Sequence, residues 1–143
     1  MTRSDLRDII ANSTFEVVNG TFVYAQVRAV AEPEGHFMVT RDRDEITVVT
    51  EQARLAALDV IQRNKDDYAL IAVNVAVPFY CVGLISAVSA EFAADGLDIL
   101  VVSTYSKDYV MVKLEALSQA RAILVRVGFR DQGTADYAPS GSV

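Results

Sequence analysis

Cysteine and histidine occur once each, as Cys81 and His36. One cysteine closes no internal disulfide and builds no cysteine-rich metal site, and a histidine bound to metal would need partners the chain does not advertise. Basic residues are outnumbered: 13 Lys and Arg against 19 Asp and Glu leave a formal charge of -6. No stretch concentrates Lys or Arg enough to track phosphates, which disfavours nucleic acid as a partner. A uniformly apolar span is missing too. The longest nearly uncharged segment, 68–90, contains Asn74, Pro78 and Gly83 and changes period midway, unlike a membrane span of about 20 apolar residues. The start Met1-Thr2-Arg3-Ser4-Asp5 is too polar for a secretory signal. A phosphate-binding glycine loop, a nucleophile elbow, a zinc-protease motif and a dinucleotide fingerprint are absent as well. The expectation is a soluble, cytoplasmic protein with no metal, no cofactor, no membrane and no nucleic acid among its partners.

What is present is enough to fold. With 143 residues, 52% hydrophobic and 22% charged, the chain suits one ordinary domain or two very small ones. Leu6, Ile9 and Ile10 at helical spacing, behind Ser4 as N-cap, predict a short helix over 4–11. Asn19-Gly20 between the β-rich runs 15–18 and 21–27 predicts a tight hairpin. A second hairpin is expected from 36–40 and 45–49 across Arg41-Asp42-Arg43-Asp44, whose mixed charges read as a solvated tip. A short helix over 50–58 would close the first half, and the polar run 62–67 is the expected boundary.

The second half reads as strand 68–77, a helix from Cys81 to Asp95-Gly96, strands 97–104 and 109–114, a helix over 115–124 and a strand over 125–129. Cys81, Ile85, Val88 and Phe92 form the expected buried stripe of the first of these helices, which makes Cys81 a core residue rather than a nucleophile. His36 reads as a strand-end residue. Strand-helix-strand-strand-helix-strand is a βαββαβ order: an α+β, ferredoxin-like antiparallel sheet with both helices on one face. Residues 131–143 are small and polar and are expected to be a flexible tail.

That order, with Val82-Gly83-Leu84-Ile85-Ser86-Ala87-Val88 opening the first helix and Asp95-Gly96-Leu97-Asp98-Ile99 closing it, resembles an ACT domain. The segment Leu100-Val101-Val102-Ser103-Thr104-Tyr105-Ser106-Lys107-Asp108-Tyr109-Val110-Met111-Val112 is similar to the Ser-Thr-Tyr-x-x-Asp-aromatic-apolar stretch of the cytosolic arginine-sensor ACT proteins and their small bacterial relatives. Those relatives pair two ACT-like units in one chain. The resemblance implies an ACT domain over 64–130 and, because no helix fits between Val27 and His36, a degenerate ACT-like unit over 1–63.

Two groups of residues are candidates for a ligand. Backbone N–H groups around Val82, Gly83 and Leu84 begin a helix, where a carboxylate is the natural guest, although Gly83 equally suits close packing of helix on sheet. Ser103, Thr104, Tyr105 and Asp108 offer hydroxyls and one carboxylate to an ammonium or guanidinium, or simply form a hairpin turn. The resemblance adds Phe79 and Tyr80 to the first group and implies a non-enzymatic regulatory protein that senses an amino acid at an ACT–ACT interface, most naturally in a homo-oligomer. The acidic balance slightly favours a cationic amino acid. An interaction and oligomerisation module with a vestigial pocket is the alternative.

Overall fold

The computed structural model describes residues 3–76 and 81–137. Along them run α1 (Arg3–Ala11), β1 (Thr14–Val27), β2 (Met38–Arg41), β3 (Ile46–Glu51), β4 (Val60–Arg63), β5 (Tyr68–Asn74), α2 (Leu84–Ala94), β6 (Leu100–Ser103), β7 (Asp108–Lys113), α3 (Leu117–Val127) and β8 (Arg130–Asp136). They divide into two compact units, Met1–Asn19 with Ala69–Ala135 and Gly20–Tyr68 with Asp136–Val143.

The first unit owes its core to β5, an unbroken apolar run buried from Tyr68 to Val73, as befits a strand covered on both faces. Ala69, Ile71 and Val73 share one face and meet Leu84, Val88 and Phe92 of α2 and Ala120, Ile123 and Leu124 of α3. Phe15 and Val17 of β1 and Val110 and Val112 of β7 join the same cluster, so both helices lie over one face of the sheet. Strands neighbour one another in the order β1-β5-β7-β6, and β8 pairs with β1. This is a ferredoxin-like fold with one strand added: the first part of β1 takes the place beside β5 that a four-stranded sheet gives to its last strand.

Both helices end by the same device. Gly96, at φ +73°, follows α2 while the Leu97 N–H donates to Phe92 O; Gly128, at φ +127°, follows α3 while the Phe129 N–H donates to Leu124 O. These six-residue closures satisfy carbonyls the helix leaves open, and their positive φ favours glycine.

The second unit contains no α-helix among its described residues. Its strands run β2-β3-β1, with β4 on the far side of β1, all antiparallel, around Ala25, Val27, Ile46 and Val48. The β2–β3 turn is held by Asp42, whose Oδ1 accepts the N–H groups of Asp44 and Glu45 at 2.8 and 2.9 Å.

Several expectations need correcting. Asn19-Gly20 makes no hairpin: β1 runs straight through as one 14-residue strand, with Gly20 at φ +131°. Staying extended lets residues 22–27 pair with β3 while β5 also has β1 as neighbour, which a hairpin would forgo. The helix expected over 50–58 is a 3₁₀ turn, Gln52–Ala57, and part of the polar run 62–67 belongs to β4. The alternation at Val125, Val127 and Phe129 is not a strand: α3 continues to Val127, and Val125 points to solvent. The closing strand falls later, so 131–136 is paired β-structure rather than loose tail. In the compact units, α1 and the start of β1 group with residues 69–135.

Candidate ligand-binding site

One wall of the site is the connection from β5 to α2. Just after β5, the Ala76 N–H donates to Ser13 Oγ at 2.9 Å, and the same hydroxyl donates to Ile9 O at 2.6 Å. Buried Ser13 thus fastens the exit of β5 to the end of α1. Phe79 and Tyr80 lie outside the described residues. The chain resumes at Cys81, whose carbonyl accepts the Leu84 N–H at 3.4 Å, and Gly83 enters α2 at φ +88° with its carbonyl accepting the Ala87 N–H at 2.9 Å. Leu84 turns inward and is 4% exposed, whereas Val82 is 74% exposed. The buried stripe of α2 is therefore Leu84, Val88 and Phe92; Cys81 precedes the helix and Ile85 faces out, one position off the expected register.

The opposite wall is the turn between β6 and β7. Ser103 and Asp108 face each other as the last register pair of the two strands, and Ser103 Oγ donates to Asp108 Oδ1 at 2.5 Å. The Thr104 N–H closes the turn on Lys107 O at 2.8 Å, and its hydroxyl donates to the same carbonyl at 3.3 Å. These bonds are the local Ser, Thr and Asp turn chemistry expected of such residues, and they also fix where the Asp108 carboxylate stands.

Between the walls lies a cavity of about 240 Å³, bordered by Val75, Cys81, Leu84 and Ile85 on one side and by residues 103–108 on the other. Of the sequence candidates it brings together Leu84, Ser103, Thr104, Tyr105 and Asp108; Val82 and Gly83 do not border it. Val75, Ile85, Ser106 and Lys107 were not anticipated, and Cys81 is half-buried on the cavity wall as well as packed against the core. Ser106 and Lys107 sit inside the Tyr105-to-Asp108 segment, so the motif itself carried their signal. Val75 and Ile85 are revealed only by the register of β5 and α2.

The electrostatics of the cavity centre on Asp108. Burial pushes the Cys81 thiol up, and the Asp108 charge pushes it further the same way. A thiol so held is protonated near neutral pH and makes a poor nucleophile. The arrangement offers an anionic acceptor beside hydroxyls, next to an apolar wall of Val75 and Leu84. Such a lining suits the cationic end of a small molecule with a short aliphatic body. Among the described residues no group of three or more His, Cys, Asp or Glu could hold a metal ion, and no helix is long and apolar enough to cross a membrane.

The segment that carries β5, α2, β6, β7 and nearly all of α3, and with them the whole cavity, is the part of the chain that matches a known family: residues 64–126 match the ACT domain. ACT domains are regulatory modules that commonly bind small-molecule effectors and assemble with one another. Among solved structures the chain is similar to a Vibrio cholerae protein of unknown function, described as a possible transport protein, at 22% identity over 87% of this chain and 97% of that one, with a TM-score of 0.73. It is similar to an Agrobacterium tumefaciens protein at 21% identity over 88% and 96%, with a TM-score of 0.66. The regulatory subunit of aspartate kinase from Thermus thermophilus, in ligand-free form, is similar at 8% identity over 79% and 95%, with a TM-score of 0.58. At these identities the likeness is one of fold. No curated protein matches the chain.

Proposed function

We propose that this ACT protein is a non-enzymatic sensor of a free amino acid, bound in the cavity between the α2 entry and the β6–β7 turn. The observation that carries the reading is the cavity itself: a fixed carboxylate, Asp108, stands across about 240 Å³ from the start of a helix. An α-amino acid has the matching charges. Its carboxylate suits the first N–H groups of α2, and an ammonium or guanidinium suits Asp108, Ser103 and Thr104, so a cationic amino acid is slightly favoured. Because ACT domains assemble, the ligand is placed at an interface with an ACT unit of a second copy, in the cytoplasm. Binding only to the paired arrangement would stabilise it and turn amino-acid concentration into a change of assembly.

The test is a search for retained ligand by native mass spectrometry, followed by a thermal-shift panel of the twenty amino acids on ligand-free protein. At about 100 times its dissociation constant a ligand adds about 2.7 kcal/mol, several degrees for a chain of this size. A flat panel would refute the sensor and favour the second reading, an oligomerisation module. That reading has its own support: Ile85 and Tyr105, both on the cavity border, are 42% and 86% exposed.

A further inference from the structure

The second unit contains a cavity that the ACT reading leaves unused. It measures about 450 Å³ and lies between the segment leading into β2 and the 3₁₀ turn Gln52–Ala57. Glu32, Gly35, His36 and Arg54 supply its polar lining, while Ala31, Ala53, Ala57 and Leu58 supply small apolar walls.

Arg54 is the unusual member. It is half-buried, yet it makes no hydrogen bond or ion pair with any described residue. Its guanidinium lies against the backbone of Gly35, so close that a Cβ there would come within 3.0 Å of Nη1. A half-buried arginine is ordinarily paired, since its five donors are costly to leave unused. His36 borders the same space and is oriented from behind: its Nδ1 and the hydroxyl of fully buried Thr50 are 2.9 Å apart. With Nδ1 so engaged, Nε2 is the nitrogen left to face a guest.

We propose that this cavity binds a small organic monocarboxylate, with Arg54 and His36 as donors to its carboxylate and the alanine-lined walls around its apolar body. Glu32, on the border of the same cavity, discourages a dianion such as phosphate. Two sources carry the chemistry, a simple carboxylic acid and an amino acid whose ammonium would meet Glu32.

The groups facing His36 make it a reporter. Burial and the Arg54 charge hold its imidazolium in disfavour, against the opposing pull of Glu32 and Glu34. A carboxylate seated on Arg54 neutralises one of the two lowering causes, so binding raises the His36 titration midpoint. His36 is the chain's only histidine, so its ring signals in proton NMR are unambiguous.

The experiment titrates the whole chain with sodium butyrate, against sodium chloride at equal ionic strength, and follows His36. A saturable shift with butyrate and a raised midpoint are expected, with binding weakened about tenfold or more in Arg54→Gln and partly recovered in Arg54→Lys. Tighter binding of 2-aminobutyrate, lost in Glu32→Gln, assigns the amino-acid source; equal binding assigns the simple acid. Chloride acting as butyrate does, inorganic phosphate competing as well as butyrate, or unchanged binding in Arg54→Gln would overturn the proposal. An unmoved midpoint in the unaltered protein does so without any variant.

Discussion

Asp108→Asn removes one charge from the sensing cavity and changes almost nothing else. The side chains of Ser103 and Asp108 are bonded across the last register pair of β6 and β7, on an exposed edge of the turn. There a charged hydrogen bond is discounted to about 1 kcal/mol or less, and the amide can still accept from Ser103, so the melting temperature should fall by no more than a few degrees. The effect on a cationic ligand is larger. A charge-assisted bond to an ammonium or guanidinium contributes about 2 kcal/mol, which is roughly thirtyfold in affinity. In thermal-shift terms, a concentration that gives about 2.7 kcal/mol of stabilisation to the unaltered protein should give only about 0.9 kcal/mol to the variant. The Cys81 thiol supplies a second readout that needs no ligand. Removing the Asp108 charge takes away the smaller of the two causes holding the thiol up, so its alkylation should rise at lower pH than before, while remaining above the ordinary range because burial persists. A variant that keeps its full ligand-induced shift, with an unchanged thiol titration, would show that Asp108 does not face the cavity as described.

Ser13→Ala leaves the Ala76 N–H without its buried acceptor and should cost about 1–2 kcal/mol in denaturant unfolding, with ligand affinity falling as the start of the β5–α2 connection loosens. Gly83→Ala should cost about 1–2 kcal/mol through the left-handed backbone alone, because a Cβ there meets only Leu6 Cδ2 at an ordinary 3.6 Å; since Gly83 does not border the cavity, the ligand response of the folded variant should survive. The pH dependence of stability has a definite sign at His36. Its pKa is lowered on folding, so the unfolded chain takes up a proton that the folded chain resists as pH falls through the ordinary histidine value. The unaltered protein should therefore lose more melting temperature than His36→Gln between about pH 7.5 and 5.5, and equal losses would refute the assignment.

The fold was legible where one periodicity dominates. The β5 run, the Leu84-Val88-Phe92 stripe and the Gly96 stop all follow from residues within a few positions of one another. It was illegible where two local rules competed. Asn19-Gly20 satisfies the short-range hairpin rule, yet the strand passes through it because the residues on either side have separate partners far along the chain, and no local signal records them. Residues 124–130 show the same contest. Val125, Val127 and Phe129 alternate like a strand, but Ala120, Ile123, Leu124 and Val127 also fall on a helical face, and packing against the core decided for the helix.

The candidate site divides along a similar line. Ser103, Thr104, Tyr105 and Asp108 could be singled out because turn residues act where they stand, and all four border the cavity. Gly83 is a candidate for a backbone role, and its φ of +88° at the entry to α2 favours glycine. Cys81 went the other way. Assigned by stripe to the core, it stands one turn earlier than the helix and so faces both the core and the cavity, where Asp108 can act on it. The difference is one of register. Neighbouring positions on a helix point about 100° apart, so Leu84 rather than Ile85 completes the buried stripe with Val88 and Phe92, while both border the cavity. Arg54 and His36 follow the same logic in the second unit: 18 positions apart with the β2–β3 hairpin between them, they share a cavity because a 3₁₀ turn in place of the expected helix follows β3.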